Sequence, residues 1–377
     1  MDFSFTERQR KLKDDASAFI ASLDRNEIEA FERESKFPRH LYSEMGKRGW
    51  VGAMVPPEYG GLGFGAVEMA ILTEETGRIG LSALTLSLHG ERTLLSLGTD
   101  AQKTKYLPGL SSGDILSAIV VSEPEVGSSL KKMKTYATKD GGDYVINGRK
   151  TNITLGGEAD LMITFVLTEC GLTVLLVNGD NPGILRRKLD SVGWRLEPHY
   201  EVDFKDCRVP ESALLGQEGR GLDVFFATFD LTRICNASHL IGVARSVLDS
   251  SIPYAIERLV GETRVADFQG IQWIIADLAT KLETASLMRF KAAWLEDQGV
   301  KHVRETAMTK LVAMELANEA ANKAFSIVGG HGGYRTAPFE RYLRDAKIGL
   351  VTGGSAEVMK NTIARETLRA YGYTPPR

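Results

Sequence analysis

Cysteine is scarce: Cys170, Cys207 and Cys235 are odd in number and far apart along 377 residues, which excludes a disulfide framework and a zinc site and points to a reducing compartment. Long hydrophobic runs are missing too, and nothing approaches the roughly 18 apolar residues of a membrane span. Met1-Asp2-Phe3-Ser4-Phe5-Thr6-Glu7 has neither the basic start nor the apolar stretch of a secretory signal, so a cytoplasmic protein without a membrane partner is expected. Charge of one sign is likewise absent. Forty-six Lys and Arg balance 49 Asp and Glu to a net charge of -3, which gives nucleic acid no reason to bind. What remains is 43% hydrophobic and 25% charged, enough for two or three ordinary globular domains.

The periodicity of the chain changes twice. Over residues 1–117 it is helical: Thr6 stands as an N-cap ahead of Leu12, Ala16, Phe19 and Ile20, and helical spacing returns over 65–76 and 81–97. Between them, Val55-Pro56-Pro57-Glu58-Tyr59-Gly60-Gly61-Leu62-Gly63 reads as a loop, because its prolines and glycines cannot continue a helix. Residues 118–217 read as a small β domain. Apolar runs over 161–167 and 172–177 flank a turn at Glu169-Cys170-Gly171, Asn147-Gly148 signals a tight turn, and 200–204 is a further strand. From 218 to 377 the chain reads as helical to its end. Phe268, Ile271, Ile275, Leu278 and Leu282 form one apolar stripe, Gly299 fits a C-cap, and 303–328 is a second long helix, together an antiparallel bundle. The fold class is therefore α+β: helical domain 1–117, β domain 118–217 and helical bundle 218–377.

Six motifs carry candidate chemistry. Ser122-Glu123-Pro124-Glu125-Val126-Gly127-Ser128-Ser129 offers hydroxyls and amides on a Pro- and Gly-fixed loop, though an ordinary turn reads the same way. Lys150-Thr151-Asn152-Ile153-Thr154 ends a strand pattern. Phe229-Asp230-Leu231-Thr232-Arg233 opens the third domain with an Asp and Arg placed to pair. Tyr254-Ala255-Ile256-Glu257-Arg258 precedes Phe268-Gln269 by nine residues. Gly329-Gly330-His331-Gly332-Gly333-Tyr334 follows a helix rather than a strand and so is not a Rossmann fingerprint; His331 reads as structural. Last, Glu340-Arg341-Tyr342-Leu343-Arg344-Asp345-Ala346-Lys347 leads through Gly353-Gly354-Ser355-Ala356-Glu357 to Ile363-Ala364-Arg365-Glu366. That is a charged helix, a tight glycine turn and a second helix whose first N–H groups are free for an oxygen ligand.

In order and spacing these motifs resemble the acyl-CoA dehydrogenase family of flavoproteins over nearly the whole chain. The resemblance implies FAD as cofactor and no metal. Val121, Ser122, Gly127 and Ser128 would inherit the loop that holds the flavin pyrimidine, and Thr154 the hydroxyl that tunes the ring. Asn152 replaces the family Trp over one flavin face. Arg258, Gly329 and Gly330 would grip the diphosphate of a neighbouring subunit's flavin, a task suited to a guanidinium fork and side-chain-free backbone. Ser355 and Glu357 belong to the cofactor side, and Phe229, Asp230 and Arg233 border the acyl channel. The implied partners are an acyl-CoA or acyl-carrier-protein substrate and an electron-transfer flavoprotein, in a homodimer or homotetramer.

The departures from the family are specific. The family's catalytic Glu is Gly353 here, and the alternative base position of some relatives is Thr232, which cannot act as one. Val260-Gly261 and Ser326 depart from the family's adenine-side wording. A placed base contributes roughly 10²–10⁴-fold, yet Gly353 keeps the backbone N–H of an oxyanion hole. Three readings follow: an oxidoreductase acting on an acyl thioester with a relocated base (His89, Glu91, Glu125 or the substrate's own groups); a non-oxidising lyase such as a desulfinase, with Arg78 or Arg92 holding the sulfinate; and a catalytically inactive dehydrogenase-like subunit.

Overall fold

Thr6 accepts from the Gln9 N–H while the Gln9 side chain accepts from the Thr6 N–H, and this reciprocal cap starts the first helix of a computed structural model that describes residues 4–127 and 130–373. The N-terminal block comprises α1 (Glu7–Ser22), α2 (Arg25–Glu34), α3 (Arg39–Lys47), α4 (Ala66–Gly77), α5 (Ala83–Leu97) and α6 (Asp100–Ser112). α4 is buried over almost its whole circumference, which is why its sequence shows no single polar face.

The middle block is a seven-stranded sheet: β1 (Ser117–Val120), β2 (Tyr136–Asp140), β3 (Asp143–Thr154), β4 (Leu161–Thr168), β5 (Gly171–Asn178), β6 (Ile184–Leu189) and β7 (His199–Pro210). Its order is β1-β4-β2-β3-β7-β6, with β5 paired to β4. The expected turn at Asn147-Gly148 is not a turn. Both residues lie inside β3, at a bulge where the register against β7 slips between Ile146 and Gly148. Gly148 has φ +147°, and an added Cβ would stand 2.6 Å from the Thr135 Cα, so the glycine serves a close approach. The β2–β3 reversal falls instead at Gly141-Gly142, both with positive φ.

The C-terminal block is built on α7 (Gly221–Glu257), α8 (Gln269–Asp297) and α9 (Val303–Val328), followed by α10 (Phe339–Gly349) and α11 (Ala356–Ala370). It is not helical throughout. A short hairpin, β8 (Leu259–Val260) and β9 (Thr263–Arg264), turns at Gly261 between α7 and α8, since Gly261 at φ +63° breaks the helical path.

Two buried polar clusters lock the blocks together. Glu74 on α4 receives Arg245 of α7 and Arg289 of α8, each at 2.6 Å. Burial alone would raise the Glu74 carboxyl; the two guanidinium groups outweigh it and hold the carboxyl at about 2. Further on, Asp345 of α10 accepts from the Trp194 N–H at 2.7 Å, while Arg344 reaches Glu32 of α2 at 2.6 Å and the Val192 carbonyl at 2.9 Å. α10 is thereby fixed against both other blocks, and with it the turn that follows.

Replacing Glu74 with Gln leaves buried guanidinium charge uncompensated and is expected to cost about 3–5 kcal/mol, read as a lowered unfolding midpoint. Because the folded carboxyl titrates below its ordinary 4.5, this contribution is full above that pH and fades as pH falls toward 2. A variant with wild-type stability at pH 7 overturns the assignment.

Candidate active site

α10 runs out at Gly349, and residues 352–355 form a tight turn before Ser355 caps α11 by accepting from the Val358 N–H at 3.5 Å. Gly353 and Gly354 take φ +64° and +102°, values that side-chain-bearing residues rarely adopt. The N–H groups of Thr352, Gly353, Gly354 and Ser355 meet no acceptor among the described residues. The turn thus leaves backbone donors unspent at the positive end of a 15-residue helix.

Two long helices supply the walls. A Cβ added to Gly353 would lie 3.1 Å from Asn236 Nδ2 of α7 and 3.8 Å from Lys310 Cε of α9. One added to Gly354 would lie 3.7 Å from a terminal nitrogen of Arg233. Arg233 pairs with Asp230 at 3.3 Å and lies over the Phe229 ring at 4.3 Å, while its Nε has no partner. Asn236, only 9% exposed, leaves its Oδ1 unpartnered. Lys310 is fully buried and donates to the Gly349 carbonyl at 3.1 Å. Burial, assisted by Arg233, pulls its ammonium down to about 7. Thr232 spends its hydroxyl on the Phe229 carbonyl at 3.1 Å, inside its own helix.

A second ledge joins the 121–127 loop to the end of β3. Buried Glu123 accepts from the backbone of Lys134 and Thr135 at 2.6 and 3.0 Å and from Lys150 Nζ at 3.0 Å. Lys150 also donates to the Val121 carbonyl at 3.0 Å, and the Thr151 N–H to the Ser122 carbonyl at 2.9 Å. Val121 and Ser122 are thus tied to the strand segment that ends at Thr154. Gly127 borders open space, and Ser128 lies outside the described residues. Asn152 sits at a second bulge with φ +56°, a conformation Asn tolerates better than most residues, so its presence has a backbone reason.

Arg258, Gly329 and Gly330, 71 residues and more apart in sequence, meet at a cavity of about 1000 Å³ also lined by Phe268, Ser326 and His331. The exposed Arg258 guanidinium has no hydrogen bond or ion pair among the described residues, and added Cβ atoms at Gly329 and Gly330 would meet nothing within 4 Å. An open cradle with a free guanidinium suits a diphosphate. His331 stacks on Tyr254 with ring centroids 5.2 Å apart, the structural role expected of it. Ser355 and Glu357 remain at the start of α11, where Ser355 holds the Glu357 carboxyl below its ordinary range.

The candidates for a relocated base fare unevenly. Glu125 is exposed and paired with Lys134. Glu91 is buried with both oxygens unpartnered, and burial pushes its carboxyl well above the usual carboxylate range. His89 keeps an unpartnered Nδ1, but burial pushes it down to about 4, so it is neutral and weakly basic. Of the arginines, Arg78 is engaged by Asp249 and Arg92 by Glu296, at 2.8 and 3.1 Å. Neither is free. Asn236 and Lys310 escaped sequence reasoning. The available signal was Lys310 itself, a charge set between Ala307 and Ala313 in the apolar stripe of α9.

Family models match in three consecutive pieces: "Acyl-CoA dehydrogenase, N-terminal domain" over residues 6–114, the middle domain over 118–207 and the C-terminal domain over 219–368. The chain belongs to the acyl-CoA dehydrogenase family. Members are FAD-dependent oxidoreductases of CH–CH groups. Acryloyl-CoA reductase (NADH) of Anaerotignum propionicum is 38% identical, covering 98% of this chain and 96% of that protein. Benzylmalonyl-CoA dehydrogenase of Aromatoleum aromaticum is 36% identical, covering 97% and 99%. Among solved structures, a glutaryl-coenzyme A dehydrogenase–glutaryl-CoA complex superimposes with TM-score 0.94 at 31% identity, covering 98% of this chain and 97% of that one.

Lys310 gives this family member a pH-dependent stability. The unfolded chain keeps a proton up to the ordinary 10.5 that the folded chain releases near 7, so stability rises between those values. Denaturant titrations at pH 7 and 10 are expected to show that rise in the wild type and a flattened one in Lys310→Met. An unchanged slope in the variant overturns it.

Proposed function

We propose that this chain is a FAD-dependent oxidoreductase that interconverts saturated and α,β-unsaturated acyl thioesters, carried on CoA or a carrier protein, without a protein carboxylate at the usual base position. The observation that carries it is the turn at 352–355. Its unsatisfied N–H groups are donors of the kind that polarise a thioester carbonyl, and a carbonyl held by them would have a more acidic α-carbon.

FAD, when bound, supplies the hydride acceptor or donor for the β-carbon. Val121, Ser122, Gly127 and Thr154 would hold its ring end, and Arg258, Gly329 and Gly330 its diphosphate. Phe229, Asp230 and Arg233 border the acyl chain. With Arg258 and Gly330 serving a neighbouring subunit's flavin, the working unit is a homodimer or homotetramer, and an electron-transfer flavoprotein is the redox partner. Gly353 removes the carboxylate that would take the α-proton, and Thr232 offers none. The α-proton is therefore taken, or in the reverse direction given, by a group of the substrate itself. A non-oxidising lyase acting on an anionic acyl thioester is the second reading, favoured by the cations around the turn. It forms product without bleaching the flavin.

The purified protein is expected to carry about one FAD per chain, and an acyl thioester to bleach it anaerobically. Arg258→Ala removes a charge-assisted contact of about 1.5–3 kcal/mol and is expected to weaken FAD binding roughly 10- to 100-fold, measured by flavin fluorescence titration of the apoprotein. A colourless protein that also refuses added FAD overturns the proposal.

A further inference from the structure

Two basic side chains approach the Gly353-Gly354 turn, Arg233 beside Gly354 and Lys310 beside Gly353. Arg233 has one carboxylate, Asp230 at 3.3 Å, and that carboxylate also acts on His302. No carboxylate acts on Lys310, whose own neighbour is the further cation Arg233. Arg365 adds to the positive field on Arg233, while Glu366 beside it is shared among Arg365, Arg369 and Lys301. At the same spot Asn236 is 9% exposed, with its Oδ1 unpartnered and its Nδ2 directed at the point where a Gly353 side chain would begin. Lys310 answers its burial by giving up its proton near neutral pH, so the cation a ligand would meet beside the turn is Arg233, whose Nε the protein leaves unpartnered.

We infer that the substrate is an acyl thioester bearing a second anionic group, a carboxylate on its α- or β-carbon, received by Arg233 and Asn236 beside the turn. The inference rests on the thioester reading above and narrows it. Arg233 offers an unpartnered Nε and a terminal nitrogen near Gly354, and Asn236 offers its amide N–H. The glycines leave the pocket without a carboxylate of its own. A glutamate at 353 would fill the same place and repel such a substrate, so Gly353 and the donors beside it have one explanation.

The test is anaerobic isothermal titration of the FAD-loaded full-length protein with thioesters matched in shape, methyl against carboxylate: butyryl-CoA against succinyl-CoA, and isobutyryl-CoA against methylmalonyl-CoA. The carboxylate member of at least one pair is expected to bind about 10- to 100-fold tighter, the scale of a charge-assisted contact. Asn236→Leu and Gly353→Asp, the latter placing a short carboxylate in the pocket on a residue that tolerates positive φ, are each expected to shrink that ratio about tenfold. FAD content and melting midpoint check their folding. Equal or weaker binding of both carboxylate thioesters by the wild type, with the neutral ones still binding, overturns this inference and leaves the thioester reading standing. If no thioester binds, both fall.

Discussion

The buried carboxylate of Glu74 between two arginines is the constraint on which the architecture turns. α4 has no exposed face to spare, and α7 and α8 press on it from the C-terminal block. A single carboxylate in a dry interior is unstable alone; with two guanidinium partners it fixes the relative position of three helices, because each charge would otherwise be stranded. α7 also carries Asp230, Arg233 and Asn236, so the pairing that holds α4 sets the height at which those side chains meet the 352–355 turn. The other side of the turn is set by α10, whose Asp345 and Arg344 bind Trp194, Val192 and Glu32. The candidate site is the place where these two anchored assemblies meet.

Much of this was legible in the sequence because it depends on local rules. Thr6 ahead of an apolar helical stripe reads as an N-cap, and the paired prolines and glycines at 55–63 end a helix in any context. The change from helical to strand period and back also survives folding intact. Asn147-Gly148 misled because turn propensity is a preference of four residues, whereas the glycine is required by Thr135 packing from another strand. The β8–β9 hairpin was hidden by its shortness: two residues a side cannot establish a period.

The polar lining of the turn was illegible for a different reason. Asn236 and Lys310 lie about 117 and 43 residues from Gly353 and become neighbours only when α7 and α9 pack. In sequence each looks like an unremarkable member of a helix. Gly353 can be read from sequence as a position without a carboxylate; that Arg233, Asn236 and Lys310 surround the turn can be read only once the helices have packed. A carboxylate at that place would act on electrostatics as well as on proton transfer, and the first effect would extend further, since a buried charge is felt over several ångströms of low-dielectric interior.

The distribution of the departures separates modification from decay. Val260 and Ser326 both line the same cavity as Arg258, Gly329 and Gly330. A cavity released from holding a dinucleotide has no reason to stay open: side chains at Gly329 or Gly330 would meet no clash, and Arg258, exposed and unpaired, would cost nothing to lose. All three are nevertheless residue types that suit a diphosphate, and Val260 and Ser326 stand on the wall beside them. On the ledge of the β block, likewise, Lys150 and Glu123 still tie the Ser122 loop to the strand ending at Thr154, and the change at Asn152 is one its left-handed backbone accepts.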